Sequence, residues 1–130
     1  MIRSAACTCG QVTAEVEGEP IRISMCHCHN CQRRTGSVFS AQARWPREAV
    51  TIRGERSTYV LTGDSGGRAT FEFCPRCGAT ICWIADAQPD VVYLPIGAFA
   101  DNTFPPPRVS VYEDRRHPWV SIPDGAERLD

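Results

Sequence analysis

The sequence predicts a mainly β fold built of short strands. Three observations point there. Apolar and polar residues alternate with a period of two in several segments. Turn-forming residues interrupt them at short intervals, and no stretch carries a helical apolar stripe longer than about two turns. Taken in order, Val12, Ala14 and Val16 alternate with Gln11, Thr13, Glu15 and Glu17, the pattern of a half-buried strand. Ile21, Ile23 and Met25 alternate with Arg22 and Ser24, and Phe71 and Phe73 alternate with Thr70 and Glu72. Segments 38–44, 50–53, 58–61, 80–85, 91–96 and 109–112 are further strand candidates. Gly18-Glu19-Pro20, Trp45-Pro46, the glycine-rich 63–67, Gln88-Pro89-Asp90 and the proline run 104–107 mark the turns between them. A single helical turn or two fits within 29–34. The polar stretch 114–130 carries Trp119 and Ile122, which are expected to pin the C-terminus onto the domain.

A chain of 130 residues makes one domain, 1–130. No apolar run approaches the ~18 residues of a membrane span. Net charge is −1, so no global field draws the chain to nucleic acid or anionic lipid. All 14 basic residues are arginine, which excludes Schiff-base chemistry on a lysine. The chain opens on Met-Ile-Arg-Ser, with no apolar leader before its first cysteine. That points to the cytoplasm, where thiols stay reduced.

Seven of the 8 cysteines fall in three tight clusters: Cys7-x-Cys9, Cys26-x-Cys28-x-x-Cys31 and Cys74-x-x-Cys77. Cysteines one or two residues apart can place their sulfurs on one metal ion, whereas disulfide partners are usually well separated. Cys74-Pro75-Arg76-Cys77-Gly78 reads as a zinc knuckle, its glycine free to take the positive φ that turns backbone N–H groups toward sulfur. A knuckle supplies two ligands, and structural zinc takes four. Cys7 and Cys9, read as i and i+2 of an extended segment, face the same side and complete the set. The result is a closed site that ties the N-terminus to the middle of the chain, a long loop whose closure is entropically valuable.

Cys26, Cys28 and Cys31 remain. Extended backbone at 26–28 puts two thiols on one face and His27 on the other, and a turn after Cys28 returns Cys31 to the same ion. Two readings of the fourth position stand. It is open, as in catalytic zinc, or Cys82 or His29 fills it and the site is structural. Cys82 lies in an apolar, strand-like stretch where a free cysteine commonly acts as a small hydrophobe.

The run from Cys26 to Ser37, Cys-His-Cys-His-Asn-Cys-Gln-Arg-Arg-Thr-Gly-Ser, resembles the central motif of the glutathione-dependent formaldehyde-activating enzyme family, also called centromere-protein-V-like. Cys7-Thr8-Cys9-Gly10 resembles its opening motif, Phe73-Cys74-Pro75-Arg76-Cys77-Gly78 its knuckle, and Arg116-His117-Pro118-Trp119-Val120 its closing signature. The resemblance implies an Mss4-like fold of packed antiparallel sheets. It implies two zinc ions per chain, a structural one on Cys7, Cys9, Cys74 and Cys77 and a catalytic one on Cys26, Cys28 and Cys31. It also implies a carbon–sulfur lyase that condenses glutathione with formaldehyde to S-(hydroxymethyl)glutathione. In that reading the three cysteines are ligands rather than nucleophiles. A three-thiolate zinc carries formal charge −1 and holds a substrate thiolate rather than activating a carbonyl.

Arg33 and Arg34 follow the site directly and can bind a glutathione carboxylate bidentately, with Ser37 beside them. The alternative for both arginines is a solvated pair. His27 or His29 is a proton carrier or merely a packed or surface histidine. A different class of function stays open as well: a non-catalytic, zinc-stabilised protein-interaction module, which needs no open metal position.

Overall fold

The computed structural model describes residues 1–130 and consists of eleven strands, one short helix and three 3₁₀ turns. In chain order these are β1 (Ile2–Ala6), β2 (Thr13–Glu17), β3 (Arg22–Cys26), α1 (His29–Thr35), β4 (Ser40–Pro46), β5 (Val50–Arg53), β6 (Ser57–Thr62), β7 (Arg68–Phe73), β8 (Thr80–Ala85), β9 (Val91–Pro95), β10 (Val109–Val111) and β11 (Glu127–Arg128). Strands β1, β2 and β5 make a small antiparallel sheet in the order β1-β2-β5. The other eight form one sheet in the order β11-β10-β3-β4-β9-β8-β7-β6. The expected mainly β class holds, but not every pairing is antiparallel. Strand β10 runs parallel to both β3 and β11. Parallel neighbours need a long crossover, and the connections before and after β10 supply it.

The period-two reading of β2 is the one the burial shows. Ala14 and Val16 are buried while Thr13, Glu15 and Glu17 are exposed. In register, Ala14 sits between Ala5 of β1 and Ile52 of β5. The stripe packs onto Ile23, Ala43, Trp45, Ile81, Val92 and Leu94 from the large sheet, so both sheets share one core. Each fully buried Val, Leu or Ile there contributes about 1.5–3 kcal/mol. Trp45 is fully enclosed among Phe99 and Phe104, and its indole N–H donates to the Gly18 carbonyl at 3.0 Å.

Three expectations need correction. Trp45-Pro46 is not a turn: β4 runs through Pro46, because a proline closing a strand withholds a donor only at the strand's last rung. Trp119 does not pin the C-terminus; it is 71% exposed and Ile122 is half-buried. Val120 is buried instead, its carbonyl accepts from Arg116 at 2.9 Å, and β11 pairs beside β10. Strand β1 was not expected, since Ile2-Arg3-Ser4-Ala5-Ala6 buries only Ala5 and shows no apolar alternation.

One glycine fixes how β5 leaves the small sheet. Gly54 has φ 110°, and a Cβ there would lie 2.2 Å from the Gln11 carbonyl oxygen. Only glycine lets this backbone pass against the loop that follows Cys9.

Candidate metal centre

The sulfurs of Cys7, Cys9, Cys74 and Cys77 all lie within 4.8 Å of one another. Cys9 Sγ is 3.7 Å from Cys7 Sγ and 3.6 Å from Cys74 Sγ. The Cys7–Cys9 segment is a turn rather than the extended strand expected from its spacing. The Cys7 amide bonds Val12 O at 3.0 Å and the Gly10 amide bonds Cys7 O at 3.1 Å. This tight loop, rather than strand alternation, brings both thiols to one side. The second pair sits in a matching loop, where the Gly78 amide bonds Cys74 O at 2.8 Å and Gly78 has φ 78°.

Donors aimed at sulfur surround this group. The Val12 amide reaches Cys7 Sγ at 3.3 Å and the Arg76 amide reaches Cys74 Sγ at 3.4 Å. Gln11 was not singled out in the sequence, yet its side-chain amide donates to Cys74 Sγ at 3.2 Å while its Oε1 accepts from the Glu55 amide. Burial works against ionising Cys74, but the Cys77 amide, Gln11 and the Arg76 amide outweigh it and bring the thiol down to about 6. For Cys9 the Gln11 amide pulls down, while burial and the neighbouring thiols push the group up to about 11.

The second group is Cys26, Cys28 and Cys31, again with all sulfurs within 4.8 Å. Cys26 ends β3, Cys28 caps the N-terminus of α1, and Cys31 lies in its first turn. The Cys28 backbone is extended, as expected, and its Sγ accepts the Cys31 amide at 3.3 Å. A thiol thus takes the place of the usual Ser or Asp cap. Cys26 is pushed up by its hydrogen bonds to Cys28 and Cys31, while Cys28, which those two thiols stabilise as an anion, falls to about 2. Cys26 and Cys31 keep their own protons, which point at the Cys28 thiolate. A bound cation is what allows all three to ionise together, so the donor set fits a soft metal ion.

Neither candidate for a fourth ligand joins this set. His29 is exposed and Cys82 lies in β8, fully buried in the core with its Sγ 3.5 Å from a Glu72 oxygen. Burial, with Glu72 beside it, pushes the Cys82 thiol well up. His27 is sealed. Its Nε2 lies 2.8 Å from Ser110 Oγ, whose hydroxyl donates to Glu113, and that carboxylate pairs with Arg116 at 3.3 Å and Arg128 at 2.8 Å. The network joins the Cys26–Cys28 loop to β10 and the C-terminal segment. Gln32 adds to it, donating to the His27 carbonyl at 2.8 Å.

Cys28 and Cys31 open into a pocket of about 100 Å³ that also touches Asn30, Arg34, Leu61 and Phe71. The last four residues also line an adjoining cavity of about 460 Å³, walled further by Arg33 and Tyr59. The Asp64–Arg115 ion pair, 2.7 Å long, involves a residue of the smaller pocket. Of the three residues expected to bind substrate, Arg33 and Arg34 line the cavity. Ser37 lies past the helix cap, exposed, its amide bonded to Thr35 Oγ1, and touches neither space.

The profile of the family described as glutathione-dependent formaldehyde-activating enzyme matches residues 2–115. The crystal structure of a Rhodobacter sphaeroides protein is similar in fold, with TM-score 0.61, 19% sequence identity, and coverage of 98% of this chain and 99% of that one. No curated protein matches the chain.

Proposed function

From the premise that this chain belongs to the glutathione-dependent formaldehyde-activating enzyme family, we propose that it is a carbon–sulfur lyase joining a thiol to a small aldehyde. Glutathione and formaldehyde are the substrates that fit this reading, and S-(hydroxymethyl)glutathione is the product. The reaction balances simply: sulfur attacks the carbonyl carbon, a C–S bond forms, the C=O π bond breaks, and the thiol proton ends on the new hydroxyl. The observation that carries the proposal is the three-sulfur set of Cys26, Cys28 and Cys31, without a fourth protein ligand, facing a cavity.

Zinc held by those three thiolates would offer one open position, where a substrate thiol of ordinary pKa ~8.5 is kept as its reactive thiolate near neutrality. Cys7, Cys9, Cys74 and Cys77 would hold the second zinc of this reading, which would join the end of β1 to the β7–β8 loop. The protein's own residues do the rest. Helix α1 fixes Cys28 and Cys31 at one cavity wall, and Leu61 and Phe71 supply apolar lining beside them. Arg33 and Arg34 line the larger space, where they would meet the carboxylates of a peptide thiol. Ser37 would take part only through movement of the segment after α1. With all eight cysteines unpaired, a cytoplasmic setting suits the protein, and the 130 residues act as one domain.

An interaction module is the competing reading, supported by exposed Trp119 and Tyr59. NMR observation of hemithioacetal formation from glutathione and formaldehyde separates the two. The enzyme reading predicts acceleration by the zinc-loaded protein that Cys31→Ser abolishes. A rate equal to the protein-free reaction leaves the module.

A further inference from the structure

An aromatic stack crosses three neighbouring strands of the large sheet. Phe71 and Trp83 stack at 5.1 Å between centroids, and Trp83 and Tyr93 at 5.7 Å. An arginine lies against each end. Arg44 sits 5.4 Å from the Tyr93 ring, and its Nη1 donates to Tyr93 Oη at 2.7 Å and to Gln88 Oε1 at 3.3 Å. Arg34 sits 4.6 Å from the Trp83 ring and 5.2 Å from Phe71. The two ends differ in what satisfies the guanidinium. Arg34 Nη2 is fully enclosed and has no hydrogen-bond partner in the protein.

Several other arginines of this region meet carboxylates, and Arg33, which has none, is exposed to solvent. Arg56 meets Glu72 at 2.6 Å, Arg115 meets Asp64 at 2.7 Å, and Arg116 and Arg128 share Glu113. No carboxylate lies within ion-pair distance of Arg34, and a guanidinium cannot shed its charge. The aromatic faces hold it in place and stabilise the cation, but they accept no in-plane N–H bond. What Arg34 lacks is a planar anion that takes its fork of donors.

The position of this arginine sets what that anion belongs to. Arg34 lines the 100 Å³ pocket together with Cys28 and Cys31, and it lines the 460 Å³ cavity as well. We infer that Arg34 is the specificity-determining residue of the cavity and selects thiols carrying a carboxylate a few atoms from sulfur. Neutral thiols are discriminated against because they leave the stacked cation unpaired. Arg33, exposed and facing only the larger cavity, adds long-range attraction but not this selection. The inference rests on reading the cavity as the thiol-substrate site, and it separates two adjacent arginines that the sequence presents as equivalent.

Calorimetric titration of the zinc-loaded protein with S-methylglutathione, and with its diethyl ester, tests this. Neither ligand has a free thiol, so the result does not depend on sulfur reaching the metal. The free acid should bind at least about tenfold more tightly than the ester. Arg34→Gln should erase the preference, Arg34→Lys should keep part of it through charge alone, and Arg33→Gln should leave most of it. Thermal melts and zinc content accompany each variant, and Arg34→Lys together with Arg33→Gln carries the test if Arg34→Gln does not fold. No binding of the acid, equal affinity for acid and ester, or a preference that Arg33→Gln removes and Arg34→Lys fully retains, would overturn the inference. A failure of glutathione to accelerate hemithioacetal formation, with the acid preference intact, would instead fall on the proposed reaction.

Discussion

Two cysteine groups of this chain look alike in sequence and differ in how the fold uses them. Cys7, Cys9, Cys74 and Cys77 come from two loops far apart in the chain, and every sulfur has a partner in a second loop. Cys26, Cys28 and Cys31 come from one strand end and the helix that follows it. The first group closes a long loop and ties β1 to the β7–β8 connection. The second closes no long loop and borders a cavity. On the proposed reading, ligand count and loop length together separate a site that holds the fold from one that is free to meet a substrate.

Breaking the groups one at a time gives the largest contrast. Cys74→Ser should leave the protein unfolded or aggregated, because binding at a structural zinc site, about 10–16 kcal/mol, rivals the whole stability of a domain, about 5–15 kcal/mol. Cys31→Ser should melt cooperatively near the parent temperature, bind one zinc rather than two and lose activity. Thermal melts with metal analysis check both. Equal destabilisation would make the second group structural as well.

The hydrogen-bonded network behind the second group should show a smaller effect with its own pH signature. Burial alone would raise Glu113, but the Ser110 hydroxyl and Arg128 hold it below its ordinary value of 4.5. A depressed carboxylate contributes stability that is present above that ordinary value and lost as pH falls through the folded value. Glu113→Gln should therefore cost about 1–3 kcal/mol at pH 7 and progressively less below pH 4.5. Because His27 ties this network to the loop between Cys26 and Cys28, zinc release to a chelator should quicken for one ion of the two. A stability deficit independent of pH would remove the ionised carboxylate from the account.

Gln11 offers the smallest test, on the other side of the comparison. Its bond to Cys74 Sγ helps hold that thiol ionised. Gln11→Ala should cost about 1 kcal/mol and speed zinc loss from the four-cysteine group alone. Unchanged release kinetics would make Gln11 only a link to the Glu55 backbone.

The cysteine groups were legible in the sequence because ligand spacing is a local property. So were most strands, since β2, β5 and β8 carry clear alternation or apolar runs. The rest depended on contacts that spacing does not encode. His27 and Ser110 are 83 positions apart, and Gln11 and Cys74 are 63 apart. Arg33 and Arg34 read alike until the fold stacks one of them on Trp83. Trp119 looked like an anchor by its size, yet the small Val120 beside it is the buried residue. Strand β1 escaped because alanine and serine mark a strand only once a neighbour is known.

The open position of the second group is the central claim, and the cobalt-substituted protein reads it directly. Thiolate ligation adds sulfur-to-metal charge transfer and shifts the ligand-field bands. Glutathione should add sulfur-to-metal charge transfer in a saturable way, S-methylglutathione should add none, and Cys31→Ser should lose the response while the four-cysteine spectrum stays. Identical changes with glutathione and its S-methyl form would contradict an open position that accepts a thiol.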